Sequence, residues 1–216
     1  LLYTSGTVAN PKGVKHSHRT MGAEAAAMID IDGLSPQDVI FLASPLGHIS
    51  GIDFGIYVPF ILGTRVCLLD RWSPEDAARL INREGCTWTG GATPFLQGLL
   101  QDAGAREVDI SSLRTFRCGG AEVPPALIRE ARANGIAAYR AYGSPEPPTV
   151  SGGRDGDAAR AATTDGKVHA HVRIRIVDLD DPRKDNPPGT PGEILTQGPE
   201  LFLGYHNQSL NADAFR

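Results

Sequence analysis

The sequence predicts an α/β fold: a mainly parallel sheet with flanking helices, followed by a small β-rich, barrel-like subdomain. Three features carry this expectation. Apolar runs of strand length alternate with helix-length segments between residues 39 and 141, the pattern of right-handed βαβ units. Helix stop signals, Gly85 and Gly135, stand immediately before the next apolar run. After Val150 the chain becomes rich in Gly, Asp and Ala, then alternates polar with apolar residues, as a half-exposed antiparallel sheet does.

Each element has a local reason. Leu1, Leu2 and Tyr3 can end a strand, and residues 18–28 read as a helix. Residues 39–43 are continuously apolar, as in a strand buried on both faces, and Pro45 ends the run. Residues 54–62 read as a buried helix despite Pro59, and 65–69 as the next strand. Ser73, Pro74, Glu75 and Asp76 open a helix with an N-cap, a first-turn proline and acids against the helix dipole. Ala77, Ala78, Leu80 and Ile81 give it one apolar face. The unit then repeats: strand 86–89, helix from Thr93 to Gly104, strand 115–118, helix from Pro124 or Pro125 to Asn134, and strand 136–141. Residues 151–166 read as a long loop or hinge. Strands at 171–177 and 193–197 flank the turn at 185–192.

Bulk properties exclude several classes. A chain of 216 residues has room for a sizeable core. Its 41% hydrophobic and 21% charged content is that of a globular protein. A net charge of −4 gives no reason to expect nucleic acid or an anionic membrane as partner. Cys67, Cys86 and Cys118 each sit in an apolar run without Cys-x-x-Cys spacing, so buried reduced thiols in a cytoplasmic protein are expected. The run 52–62 is too short to span a bilayer and holds Asp53 and Pro59, so no integral membrane contact is expected. The pairs His16/His18 and His169/His171 lack acidic or thiol partners at ligand spacing and read as non-metal. Leu1 falls inside a strand pattern and residues 211–216 inside a helix-like one; the expectation is an internal fragment of a longer protein.

Five segments of unusual chemistry fall at expected carboxyl ends of strands, where parallel sheets hold ligands: 4–12, 45–51, 90–93, 119–122 and 142–146. The first, from Thr4 through Ser5, Gly6 and Thr7 to Lys12, sets hydroxyls, glycine and a lysine between a strand and a helix, a natural phosphate cradle. It is not a Walker loop, because Pro11 precedes Lys12 and Gly13 follows it. Small residues at Gly90, Gly91 and Ala92 fit either open space beside the strand end or close helix–strand packing.

Residues Tyr3 to Thr7 and Pro11 to Val14 resemble the loop Tyr-Thr-Ser-Gly-Thr-Thr-Gly-x-Pro-Lys-Gly-Val of the adenylate-forming superfamily. That superfamily holds acyl-CoA synthetases, aryl-acid adenylating enzymes, peptide-synthetase adenylation domains and luciferases. Val8 replaces its second Thr and Ala9 its second Gly. Gly119-Gly120-Ala121-Glu122-Val123-Pro124 resembles the family's Gly-Gly-Ala-x-x-Pro loop. Tyr142-Gly143-Ser144-Pro145-Glu146 resembles Tyr-Gly-x-Thr-Glu, with Pro145 for the Thr. Pro45 to Gly51 resembles Pro-x-x-His-x-x-Gly, and Trp88 to Pro94 the segment lining the acyl or aryl pocket. The stretch from Gly189 to Pro199, with Gly204-Tyr205, resembles a family segment of mainly structural role. The motifs run in family order, and residues 44–100 look most like bacterial CoA ligases for medium-chain or alicyclic acids.

The resemblance implies ATP-dependent activation of a carboxylic acid to an acyl-adenylate and then an acyl-CoA, with ATP, Mg²⁺ and coenzyme A as the small molecules. It implies catalytic roles for Lys12 and Glu146, with Glu146 also holding the metal. Thr4, Ser5, Gly6, Thr7 and Lys12 would meet the phosphates; Gly119, Gly120, Ala121, Glu122, Tyr142, Gly143 and Ser144 the rest of the nucleotide. His48, Trp88, Gly90, Gly91 and Ala92 would meet the acid. It also implies an AMP-binding subdomain over 1–150, truncated at its start, and a β-rich one over 151–216, truncated at its end. The C-terminal lid domain would be absent, and the fragment alone is expected not to turn over. Two alternatives stay open: adenylation of an aryl or amino acid for a carrier protein, and a catalytically degenerate nucleotide- or acyl-binding protein. Val8, Ala9 and Pro145 favour the last, since two of the three remove hydroxyls, each worth about 1.5–3 kcal/mol against a charged oxygen.

Overall fold

The computed structural model describes residues 1–4, 10–154 and 158–215. The chain opens with a short antiparallel pair, β1 (Leu2–Tyr3) and β2 (Gly13–Val14). Helix α1 (His18–Asp32) starts at a reciprocal cap: Thr20 N–H donates to Ser17 Oγ at 3.2 Å, and Ser17 N–H to Thr20 Oγ1 at 3.0 Å. It runs past the expected Met28 and closes at Gly33, whose φ of 60° suits a residue without Cβ.

The parallel sheet consists of β3 (Val39–Leu42), β4 (Arg65–Leu68), β5 (Trp88–Gly91), β6 (Thr115–Cys118) and β7 (Ala137–Tyr142), side by side as β4-β3-β5-β6-β7. The chain leaves β3 for the edge at β4, then returns past β3 to β5. That reversal opens a crevice between the carboxyl ends of β3 and β5.

Between β3 and β4 the helical stretch begins earlier than expected. It is α2 (Ile49–Ile52), a π-helical turn at Asp53–Tyr57, and α3 (Val58–Leu62). Val58 N–H reaches back to the Asp53 carbonyl, and Pro59, with no N–H to give, follows directly. Helix α4 (Pro74–Glu84) starts at Ser73 and ends at Gly85, as its signals imply. The helix expected from Thr93 to Gly104 is two: α5 (Thr93–Gln101) and α6 (Ala103–Arg106). Asp102 is extended and its carboxylate caps Ala105 N–H at 3.0 Å, which restarts the helix. Helix α7 (Pro125–Ala133) precedes β7.

One sheet face packs Phe41 and Phe116 against Ile81, Leu96, Leu99 and Ile128. The other packs Ile40, Leu42 and Trp88 against Met28, Phe54 and Val58. Each such buried side chain contributes about 1.5–3 kcal/mol. Cys86 and Cys118 are buried, whereas Cys67 on edge strand β4 is only half-buried; all three are free. Among the described residues no helix is long and apolar enough to cross a membrane.

Past Val150, β8 (Ser151–Gly152) and β9 (Lys167–Val168) add antiparallel strands beside β7, so part of the expected loop extends the main sheet to seven strands. Then β10 (Arg173–Val177) and β11 (Glu193–Gln197) pair antiparallel. The expected barrel is, among the described residues, this two-stranded sheet, whose edges are not closed on each other. The segment after β11 returns to the start of the chain: Leu203 N–H donates to Lys15 O, Lys15 N–H to Gly204 O, and His206 N–H to Gly13 O.

Candidate active site

A cavity of about 440 Å³ opens at the carboxyl ends of β3, β5, β6 and β7. All five segments singled out in the sequence reach it: Thr4; Pro45 and His48; Gly91 and Ala92; Gly119 and Gly120; Tyr142, Gly143 and Ser144. The topological reversal at β3 and β5 explains why they converge.

The lysine loop is pinned at both ends. Lys12 N–H donates to Thr4 Oγ1 at 3.0 Å, and Thr4 N–H to the Lys12 carbonyl at 3.1 Å. Lys12 Nζ lies 5.1 Å from the centre of the Tyr205 ring. Ser5, Gly6 and Thr7, with Val8 and Ala9, fall outside the described residues.

Glu146 follows the wall residues Ser144 and Pro145 but does not itself line the cavity; it is half-buried and holds two O–H donors. Ser144 donates to Oε2 at 2.8 Å and Tyr205 to Oε1 at 2.6 Å. Burial and the Glu146 carboxylate raise the Tyr205 phenol pKa, so its proton stays on. His16 Nε2 stands 2.7 Å from the Pro145 carbonyl and Nδ1 3.0 Å from Thr20 Oγ1. Burial lowers the His16 pKa, with the Pro145 bond opposing it. In the neutral ring Nε2–H donates to Pro145, which leaves Nδ1 as an acceptor facing Thr20 Oγ1. A carboxylate with free lone pairs fits a hard cation such as Mg²⁺, which takes one or two carboxylates with water and phosphate oxygens. Among the described residues no group of three or more His, Cys, Asp or Glu could hold a metal ion.

Two glycines of the cavity wall are required by close approach. A Cβ on Gly119 would lie 2.6 Å from the Ala141 carbonyl oxygen, and one on Gly143 1.9 Å from that of Pro148. Ala121 and Glu122 are exposed and stand off the cavity wall; the Glu122 carbonyl accepts the Thr93 hydroxyl at 2.8 Å.

His48 caps α2 at the cavity rim: its Nδ1 lies 2.8 Å from Ser50 Oγ and accepts Ser50 N–H at 3.3 Å. Neighbouring protein lowers its pKa although the ring keeps solvent contact. With Nδ1 accepting, the neutral ring carries its proton on Nε2. Gly91 lines the cavity, and a Cβ there would press on the Phe95 ring at 2.8 Å.

Trp88 and Gly90 do not reach the cavity. Trp88 is buried, stacked edge-on to Phe54 at 4.9 Å, and donates Nε1–H to Asp32 at 2.7 Å. Gly90 lies under the Phe54 ring, 2.6 Å from where its Cβ would be. Phe54 is the cavity residue, and the other two are its backing.

Sequence reasoning missed Phe54, Phe95, Arg117 and Thr149 in the wall. Arg117 is buried in an ion pair with Asp32, whose Oδ2 accepts its Nε–H at 2.6 Å. Thr149 donates to Glu24 behind the wall. Burial pushes the Glu24 carboxyl up to about 8, and burial together with Glu24 raises Asp53 as well. A charged residue inside an apolar helix face was the one signal that marks Asp53 and Glu24 in advance.

Fold and cavity together define an α/β protein with its ligand site at the carboxyl edge of a parallel sheet, across a reversal of strand order. The chain belongs to the AMP-binding enzyme family, whose profile matches residues 1–206. It is 39% identical to the medium-chain fatty-acid–CoA ligase of Escherichia coli over 209 residues, 96% of this chain and 37% of that protein. It is 32% identical to the indoleacetate–CoA ligase of Aromatoleum aromaticum, over 96% of this chain and 40% of that protein. Its fold matches that of O-succinylbenzoate coenzyme A synthetase from Bacillus subtilis, solved with ATP and magnesium ion, with a TM-score of 0.90 and 29% identity. That match covers 100% of this chain and 44% of the other. The chain thus spans about two fifths of the length of these relatives.

Proposed function

We propose that this chain is the nucleotide- and acid-binding core of an AMP-forming acid–thiol ligase. One observation carries the reading: a single cavity gathers Thr4, His48, Gly91, Gly119, Tyr142 and Ser144 from five separate loops. A carboxylate oxygen of the acid attacks the α-phosphorus of ATP; the new P–O bond forms as the bond to pyrophosphate breaks. The sulfur of coenzyme A then attacks the acyl carbon, and AMP leaves.

Lys12 and the Thr4 hydroxyl take the phosphate side, where a point charge offsets charge on the leaving group. Glu146 is the residue to hold Mg²⁺, which when bound neutralises phosphate oxygens. Tyr142 presents an exposed ring to the adenine beside Gly119 and Gly120. His48, neutral and with Nε2–H free to donate, meets the acid carboxylate without adding a charge that would weaken its attack. Met28, Ile49, Phe54 and Phe95 give the acid end an apolar wall, which suits a fatty or alicyclic tail. In this reading residues 1–150 carry the AMP-binding part and the remainder begins a β-rich part. Free thiols at Cys67, Cys86 and Cys118 suit a reducing, cytoplasmic setting.

The test is a carboxylic-acid panel with full-length protein, ATP, Mg²⁺ and coenzyme A, read by mass spectrometry. Acyl-CoA from medium-chain or alicyclic acids is expected. Adenylate without thioester would point to a carrier-protein acceptor instead. ATP binding without adenylate from any acid would overturn the ligase reading.

A further inference from the structure

We propose that Tyr205 is a positioning residue that couples the lysine loop to the metal-binding carboxylate. The inference rests on the ligase reading of Lys12 and Glu146. Tyr205 touches both. Its hydroxyl donates to Glu146 Oε1 at 2.6 Å, and its ring lies under Lys12 Nζ at 5.1 Å from the centre. The side chain is buried, 5% exposed, so neither contact is a chance surface encounter.

Its backbone is fixed on two sides. Tyr205 bridges to Val14, just past the lysine loop, and its N–H donates to Asn211 Oδ1 at 2.8 Å. The Phe202 ring meets it edge-on at 5.0 Å, and Phe202 N–H donates to the Glu146 carbonyl at 3.0 Å. One short segment therefore holds Glu146 by main chain and by side chain.

The chemistry follows from counting lone pairs. An ionised carboxylate offers about four acceptor sites and no donor. Ser144 takes one on Oε2 and Tyr205 one on Oε1. Two sites remain, and the two O–H donors fix which way they face. Partners of this kind orient a carboxylate ligand, and their removal costs about 10–100-fold in metal affinity. The ring contact acts separately: it restrains the Lys12 ammonium.

The two contacts can be separated by substitution. Tyr205→Phe keeps the ring and removes the hydroxyl; Tyr205→Leu removes both. Full-length protein is loaded with ATP, and Mn²⁺ binding is followed by electron paramagnetic resonance, with metal-free ATP affinity measured by calorimetry. Tyr205→Phe should weaken Mn²⁺ binding about tenfold and leave metal-free ATP affinity unchanged. Tyr205→Leu should show the same metal defect and lose a further two- to fivefold, roughly, in metal-free ATP affinity. Glu146→Gln is the reference. If Glu146→Gln loses Mn²⁺ and Tyr205→Phe binds it as wild type, Tyr205 is only a packing residue and the inference falls alone. If both bind Mn²⁺ as wild type, the metal assignment of Glu146 falls and takes the inference with it.

Discussion

His16 Nε2 reaches the carbonyl oxygen of Pro145 across 2.7 Å, joining residues 129 apart in sequence. The bond ties the base of α1 to the turn that carries Glu146. Pro145 has no N–H, so its carbonyl is the backbone group by which the turn can be held there. His16→Leu should lower acid-dependent ATP–pyrophosphate exchange by full-length protein about fivefold, for the loss of about 1 kcal/mol of positioning. His16→Gln, which can still donate, should recover part of it. Equal rates for the Leu and Gln variants would mean that the ring only fills space.

Glu24 gives a stability prediction with a defined sign. Its folded pKa of about 8 lies above the unfolded 4.5, chiefly through burial. The fold therefore gains from the neutral form, and stability is lost as pH rises from about 4.5 to about 8. Glu24→Gln keeps an acceptor for Thr149 and removes the titration. Chemical denaturation should find it more stable than wild type at pH 8 by about 1–3 kcal/mol, with the difference shrinking towards pH 5. A constant difference across that range would assign the effect to packing.

His169 acts at the other end of the pH scale. Burial, with the cations Arg117 and Arg154 and the neighbouring His171, lowers its pKa to about 3. The unfolded chain takes up that proton first, so stability falls as pH drops below 6.5 towards 3, by about 1.4 kcal/mol per pH unit for one proton. His169→Gln should flatten the acid limb of a urea-midpoint profile between pH 6.5 and 5. An unchanged slope would place the acid sensitivity elsewhere.

Gly90 has no room for a side chain, because Phe54 lies on it. Gly90→Ala should destabilise by about 1–3 kcal/mol through overpacking and push the Phe54 ring into the acid cavity, raising the KM for long acids more than for short ones. Combining it with Phe54→Leu should relieve both effects. Failure of the double variant to recover would show that the strand itself, and not the ring, is disturbed.

The sheet was legible because its strands are short, β3 is wholly apolar, and helices between strands carry their own start and stop signals, as at Ser73 and Gly85. The convergence of five loops followed from parallel topology alone. What stayed hidden depends on contacts between distant residues. Nothing local to Tyr205 says that its hydroxyl meets Glu146, 59 residues earlier. Trp88 and Gly90 lie in a segment of the right type, yet they sit deeper in β5 than Gly91 and Ala92. Strand position decided that they back the cavity while their neighbours line it. Asp102 broke a continuous helical pattern because one short carboxylate could cap a new turn.

Pro145 is the position where the sequence and the proposed chemistry disagree most. Its ring supplies no hydroxyl to the phosphate side, while its carbonyl is held by His16 and its neighbours Ser144 and Glu146 bond to each other. Pro145→Thr keeps the carbonyl that His16 needs and adds an O–H within the cavity wall that residue 145 helps to form. A hydrogen bond to a charged oxygen contributes about 1.5–3 kcal/mol, so exchange of pyrophosphate into ATP should rise about tenfold or more. The gain should appear in kcat, because the charge it meets grows as the acyl-adenylate forms. It should also be smaller in a His16→Leu background, where the turn is free to move away. A Thr variant no faster than wild type would mean that other donors of the lysine loop already saturate the α-phosphate.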